Sequence, residues 1–359
     1  MRKIISTVLA LVLVLALLAG CGKTAPTPTP STSAPVNTSE PTGTPEPTPT
    51  PEPVKIRVAH HAGLSGSITA GIDVAKKIFA EEGLDVEWVL FTAGPPEVAA
   101  MVSGDIQFGY LGHGAHTLAA EGKIDVISLS HLGNSEKIFV RKDSGINKIE
   151  DLKGKVVATQ LGTSGEVILN MALASVGLTK DDVKVMNMDM SGAVTAFIAD
   201  KVDAIACWDI HATNVVDNVG LDNLNLIAKT SDFADEAAFP GSWIVTPEYA
   251  EKNEDVVIRF IRGLYRTYDY RAANLDESIK FAAEFRDTDY ETFNKTRDDF
   301  TPFNSDMIKT MINDGSLLNI YKVQLDYFLR EGKLTSGNVN DYVRIDLMKK
   351  ALENYTNPY

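Results

Sequence analysis

The sequence predicts an α/β protein of two lobes, and three observations predict it. Strand-like and helix-like segments alternate from residue 54 onward, two such runs follow one another, and the folded part is too long for one core. Once the amino-terminal segments are set aside, 306 residues remain, which exceeds what a single core ordinarily supports.

Val54 to His60 (V-K-I-R-V-A-H) alternates apolar and polar residues as a strand, and Ile68 to Glu82 follows with helical spacing. Leu84 to Phe91 reads as a second strand. Pro95 and Pro96 open a helix to Ser103, since proline is tolerated in a first turn. Asp105 to Leu111 is a third strand, Gly114 to Glu121 a helix and Ile124 to His131 a fourth strand, a rhythm that predicts a mostly parallel sheet covered by helices. After Lys142 the rhythm repeats, with strands at Lys155–Gln160, Val183–Met188 and Ala204–Trp208 and helices at Thr163–Val176 and Ala193–Asp200. From Pro247 the chain turns helical. Val256, Phe260, Leu264 and Tyr268, flanked by Val257, Ile261 and Tyr265, form an apolar stripe at helix period that belongs in a core. The expected division is residues 54–139 plus 241–359 in lobe I and 140–240 in lobe II.

Ahead of these lobes, Arg2 and Lys3 precede an apolar run from Ile4 to Leu18, too short for a comfortable membrane span, so residues 1–20 read as a signal peptide. The run ends in Leu18-Ala19-Gly20-Cys21, which is similar to a bacterial lipobox, with Cys21 the lipidated residue; a plain secretory signal is the alternative. Residues 21–53 are then an anchor and tether. Thr24 to Pro53 holds ten of the sixteen prolines, and as polyproline II at about 3.1 Å per residue it would reach roughly 90 Å. Without Arg2 and Lys3, 32 of the 34 basic residues face 48 acidic ones, a net charge of −16, which excludes a nucleic-acid partner. Cys207 is the only other cysteine, so with Cys21 lipidated no internal disulfide forms, and Cys207 is expected to pack as a small hydrophobe.

In open α/β sheets ligands bind beyond the carboxyl ends of strands, where helix N-termini offer unpaired N–H groups. The turn Leu161-Gly162-Thr163-Ser164-Gly165-Glu166 joins strand to helix, with Thr163 at the N-cap and Ser164 beside it, and is a candidate anion cradle. It lacks the Walker lysine and spacing, so nucleotide hydrolysis is not indicated. Glu166 stands at capping-box spacing from Thr163, and that structural role is expected of it. All six histidines (His60, His61, His113, His116, His131 and His211) fall at strand ends or just beyond. They could bind a transition metal or donate hydrogen bonds to a polar ligand; no H-x-x-x-H pair or accompanying cysteine favours the metal, and none is assigned. His61 and His113 are the expected direct contacts. Ser65, in Gly63-Leu64-Ser65-Gly66, and Leu111, Gly112 and Gln160 at other strand ends complete that surface.

Glu136 and Asp209 also reach it. Carboxylates facing an anion cradle are unfavourable unless the ligand carries positive charge as well, which points to a zwitterion; capping or bridging between lobes is the structural alternative. Trp208 either stacks on the ligand or sits half-buried in the core. No triad or G-x-S-x-G elbow occurs, so binding rather than catalysis is expected, with no cofactor.

Four segments, Phe79–Glu87 (FAEEGLDVE), Met101–Gly109 (MVSGDIQFG), Asp151–Val157 (DLKGKVV) and Val202–Trp208 (VDAIACW), resemble the nitrate, sulfonate and taurine family of periplasmic binding proteins. The resemblance covers residues 54 to about 345. Leu132–Glu136, Ser242–Val245 and Phe328–Leu334 are most similar to its taurine and aliphatic sulfonate branch. It implies the type II periplasmic-binding-protein fold, a sulfonate in the helix cradle, an amine near acidic residues, and a monomer that delivers ligand to an ABC permease and ATPase. It implies no catalytic residue. His113, Gly114 and His116 stand where taurine binders carry small hydroxylated residues, and Asp209-Ile210-His211 replaces their Trp-Ala-Pro or Trp-Glu-Pro run. A pyrimidine-type heterocycle, nitrate or bicarbonate are the alternative ligands. A metal-dependent enzyme akin to the pyrimidine-synthesis relatives is a further alternative, against which export and lipidation argue.

Overall fold

The computed structural model of the protein describes residues 52–359 apart from Asp235. The signal peptide, Cys21 and nearly all of the tether lie outside the described residues. Eleven strands follow in chain order: β1 Val54–His60, β2 Leu84–Leu90, β3 Phe108–Leu111, β4 Asp125–Gly133, β5 Lys137–Arg141, β6 Val156–Thr159, β7 Lys184–Asn187, β8 Ala204–Cys207, β9 Leu224–Lys229, β10 Pro240–Val245 and β11 Phe300–Pro302. They form a six-stranded sheet ordered β11-β4-β10-β3-β1-β2 and a five-stranded sheet ordered β7-β6-β8-β5-β9.

Most strands of each sheet run one way, as expected, but β10 and β11 in the first and β5 in the second run against them. β1 pairs parallel with β2 and β3, and β6 with β7 and β8, but β10 runs antiparallel to β3 and β4, and β5 antiparallel to β8 and β9. The reason is topological. The chain leaves the carboxyl end of β4 and enters β5 three residues later, and it returns from β9 into β10. A strand that receives the chain from the other sheet starts at the shared edge and must run away from it, opposite to strands that end there.

The seven strands read from the sequence are all present to within a few residues. β5, β9, β10 and β11 escaped that reading. β10 (PGSWIV) is buried at all six positions, so it has no polar alternation to betray it. The helix expected over Ile68–Glu82 is two, Leu64–Lys76 and Ile78–Glu81, broken at Lys77 in the left-handed conformation (φ 59°). Asp73 holds the break by accepting the Phe79 N–H at 2.9 Å and the Trp88 indole N–H at 3.0 Å.

The helix Glu254–Ala273 lays its predicted stripe against the first sheet, with Phe260 stacked on Phe108 at 3.9 Å between ring centroids. In the second sheet successive residues feed opposite faces. Ile138, Val140, Val157, Ala204 and Ala206 enter one core, and Phe139, Ala158, Ile205 and Cys207 the other. Cys207 is fully buried, as expected, and burial pushes its thiol up to about 12. Among the described residues no helix is long and apolar enough to cross a membrane.

Candidate functional site

A cavity of about 280 Å³ lies where the two sheets present their strand ends to each other. A cavity of this size has room for a compact small molecule. The carboxyl ends of β1, β3, β4, β6 and β8 and the amino end of β10 supply its walls.

Four helices begin at this cavity: Leu64–Lys76 after Gly63, Gly94–Val102 after Ala93, Ser164–Ser175 after Thr163 and Asp209–Val219 after Trp208. None of the four N-cap residues accepts a side-chain hydrogen bond from its helix. Their first-turn N–H groups and the positive ends of their dipoles are therefore left to a ligand. A fifth helix, Met190–Ile198, reaches the cavity through Ser191 but is capped by Asp189. Among the described residues, no lysine or arginine lines the cavity, so its positive potential comes from backbone.

Two glycines let the walls meet. A Cβ on Gly63 would stand 2.0 Å from the Asp209 carboxylate, and one on Gly114 would stand 2.2 Å from the Thr163 backbone. At Gly114 the two walls thus meet backbone against backbone, and at Gly63 backbone meets the Asp209 carboxylate.

Nine of the residues expected from the sequence line the cavity: His61, Ser65, Gly112, His113, Glu136, Thr163, Ser164, Trp208 and Asp209. Leu111 and Gln160 do not. Leu111 points into the first core with no exposure, because it is the inward residue of β3, and Gln160 serves the turn, its carbonyl accepting the Thr163 hydroxyl at 2.6 Å. The capping box expected of Glu166 is also corrected. Its carboxylate accepts the Gly162 N–H at 2.8 Å and the Lys333 ammonium at 2.5 Å, because the left-handed Gly162 (φ 76°) turns its N–H back over the helix start.

The histidines divide. His61, His113, His131 and His211 line the cavity; His60 and His116 do not. His60 packs edge-on to Phe285, and His116 hydrogen-bonds the Ser242 hydroxyl at 2.8 Å, which in turn meets Tyr321 at 2.7 Å. His61 Nε2 sits 2.7 Å from Glu97, a fully buried carboxylate whose other oxygen takes the Tyr110 N–H at 2.5 Å. His113 is held by Gln324 at 3.0 Å, leaving its Nε2 without a partner of hydrogen-bonding geometry, although the Ala238 carbonyl is near enough to favour its charged form. Burial lowers His113 well below the ordinary range, His131 to about 3 and His211 to about 4, so these imidazoles are neutral at physiological pH. Among the described residues no group of three His, Cys, Asp or Glu is arranged to hold a metal.

Three carboxylates face the cavity: Glu136, Asp209 and Asp299. Glu136 accepts the Thr230 hydroxyl at 2.7 Å, Asp209 the Ser65 hydroxyl at 3.1 Å, and Asp299 the Lys137 ammonium at 3.0 Å. Burial first, then the neighbouring Asp299, raises Asp209 to about 6. Asp209 also adopts a left-handed backbone (φ 48°), an uncommon state for a residue other than glycine and one that concentrates at functional sites. Asp299, Tyr110, Phe239 and Phe300 line the site without having been found in the sequence. Asp299 stands in an aperiodic stretch before β11, so only the register of β11 on β4 brings it here.

A family model described as NMT1/THI5 like matches residues 70–278. The chain belongs to this NMT1/THI5-like family. A relative in Brucella abortus, whose name states only a binding role, is 30% identical over 294 residues, covering 82% of this chain and 91% of the relative. The taurine-binding periplasmic protein of Escherichia coli is 28% identical over 233 residues, 63% of this chain and 69% of its own. Two solved structures share the fold. The alkanesulfonate-binding protein SsuA from Xanthomonas axonopodis pv. citri, bound to MOPS, superposes with a TM-score of 0.58 at 22% identity over 77% of this chain and 96% of that one. A desulfurization enzyme superposes at 0.62 with 13% identity over 84% and 100%. The resemblance read from the four sequence segments holds at the level of the family, whose members are mainly substrate-binding proteins of ABC importers.

Proposed function

We propose that the protein is an extracytoplasmic lipoprotein, anchored through Cys21, that binds a small zwitterion of the taurine or sulfonate class and delivers it to an ABC permease and ATPase. One observation carries the reading: four uncapped helix N-termini and three carboxylates face the same small cavity, which no lysine or arginine among the described residues lines. Backbone N–H groups suit an oxyanion, and the carboxylates require a positive group on the same molecule. The sulfonate belongs at Thr163 and Ser164, and the amine near Glu136, Asp209 and Asp299. Lobe I (54–139 with 241–359) and lobe II (140–240) close on it, and the closed form docks on the permease as a monomer.

A second reading, a pyrimidine-type heterocycle, is favoured by the neutral imidazoles and by Trp208 on the cavity wall. Calorimetric titration of the compact unit 50–359 with taurine, alkanesulfonates, nitrate, bicarbonate and pyrimidines separates the two. Saturable binding of a sulfonate zwitterion is expected. Binding of pyrimidines alone would sink the proposal and turn attention to the histidines.

A further inference from the structure

Glu97 stands in the first turn of the helix Gly94–Val102, behind the cavity wall and with no exposure at all. Its carboxylate lies against the backbone of β3, where it takes the Tyr110 N–H and where a Cβ on Gly109 would stand 2.2 Å from Oε1. The other oxygen meets His61 Nε2 at 2.7 Å. Nδ1 of the same ring has no hydrogen-bond partner among the described residues and is not sealed off, because His61 lines the cavity with 18% of its side chain exposed.

The contact between Glu97 and Nε2 needs a proton, and two proton counts supply it. In the first, an ionised Glu97 faces a neutral ring protonated at Nε2, so the pair carries a negative charge in a dry place and Nδ1 is a bare acceptor. In the second, the pair holds one proton more and is neutral overall. Nδ1 then carries hydrogen whether the proton between Glu97 and Nε2 sits on oxygen or on nitrogen. Burial favours the neutral pair, since an uncompensated charge out of water is costly. The Glu97 carboxyl shows that pressure: desolvation holds it above the usual range, against the pull of His61 and of the Tyr110 N–H. The titratable neighbours His60, His211 and Tyr110 are kept neutral by burial, so the pair settles its charge without them.

We propose that Glu97 and His61 form one neutral unit that presents Nδ1–H to the cavity as a donor to the ligand's acid group, with Glu97 the positioning residue. An ammonium has no lone pair to offer this donor, so of the two ends of a zwitterion only the acid takes it. The helix carrying Glu97 also begins against the turn at Thr163, where a Cβ on Gly162 would stand 3.2 Å from the Pro95 side chain. The acid is then held from both lobes, by the backbone at Thr163 and Ser164 on one side and by His61 on the other. This rests on the zwitterion reading above and adds to it a side-chain contact in lobe I.

The test is heteronuclear NMR of the histidine ring nitrogens in the purified protein near neutral pH, with His61 assigned by the loss of its signals in His61→Gln. A protonated Nδ1 is expected in the ligand-free protein, and its resonance should shift on saturation with taurine or ethanesulfonate. A bare Nδ1 in the ligand-free protein overturns the neutral pair and leaves the sulfonate zwitterion standing. A protonated Nδ1 that a bound sulfonate leaves unmoved overturns the contact. Calorimetry on two variants gives a second reading. In Glu97→Gln the amide oxygen takes the Tyr110 N–H and the amide N–H is donated to Nε2, which keeps hydrogen on Nδ1. Glu97→Gln is therefore expected to bind taurine within about threefold of the parent protein, while Glu97→Ala, which frees the ring, binds at least about tenfold more weakly. Glu97→Gln binding as weakly as Glu97→Ala overturns the donor, because the amide reverses only a bare Nδ1. If no sulfonate binds at millimolar concentration, the proposed function falls and the contact with it, while Nδ1 in the ligand-free protein still decides the proton count of the pair.

Discussion

Asp209 is pulled in opposite directions by its surroundings, and its titration reports on them. Its folded value of about 6 stands above the ordinary 3.8, so the native state binds the proton more tightly than the unfolded chain does. This group therefore adds stability as pH falls from 7 through 6 toward 4, and withholds it above 6. Asp209→Asn should raise the ligand-free melting temperature at pH 7 by roughly 2–4 °C and flatten the difference between pH 5 and pH 7, read by scanning calorimetry against the parent protein. Ligand affinity moves the other way. A cation needs Asp209 ionised, so binding of a zwitterion should weaken as pH drops below 6, and Asp209→Asn should weaken it at pH 7 and converge with the parent protein well below pH 6. Glu97 offers a second check at this scale. Glu97→Ala strands the buried Tyr110 N–H and removes the partner of His61, and should cost about 1–3 kcal/mol in denaturant unfolding, with Glu97→Gln costing less.

Among the elements, the helix Ser164–Ser175 is the one whose start defines the site, and its position depends on a glycine in another strand's loop. Gly114 packs where a Cβ would stand 2.2 Å from the Thr163 backbone, so Gly114→Ala must push the turn His113–His116 and this helix apart. Ligand affinity should fall at least about tenfold in titration, while the fold, whose cores lie elsewhere, is retained. Gly112→Ala is the matched control for sterics, since nothing stands within 4 Å of its added methyl; its melting temperature should stay at the parent value. Thr163→Ala tests less than its place in the turn suggests, because its hydroxyl serves the Gln160 carbonyl and the helix offers the ligand backbone groups.

Across the whole molecule, the helix Ser316–Arg330 belongs to both cores. Leu317, Tyr321 and Leu325 pack in the first, Tyr327 and Phe328 in the second, and Gln324 between them holds His113. Lys333, just beyond, pairs with Glu166 at the start of the helix Ser164–Ser175. The segment Phe328–Leu334, part of the resemblance to taurine binders, thus ties the second sheet's core and the site to the first sheet. Phe328→Ala should cost about 3–5 kcal/mol in denaturant unfolding. A strap anchored at both ends also predicts one cooperative transition for residues 50–359, and two resolved transitions in Phe328→Ala would show the strap to be what couples the cores.

Local patterning alone determined a good deal: seven strands, the apolar stripe on Glu254–Ala273, the turn at Gly162 to Ser164, and a binding surface at strand ends. These follow from side-chain period and from the rule that parallel strands end where helices begin, both of which are written in neighbouring residues. Only the tertiary structure decided which way β5 and β10 run, because that depends on the chain crossing between sheets. It also separated His61, His113, His131 and His211 from His60 and His116, which are engaged by Phe285 and Ser242 away from the cavity. Asp299, Phe239 and Phe300 reach the cavity from segments with no period and no motif, brought there by β10 and β11 pairing with β4. Contacts between residues more than 160 positions apart, such as Lys137 with Asp299, leave no local trace, and the charge of the site is set by them.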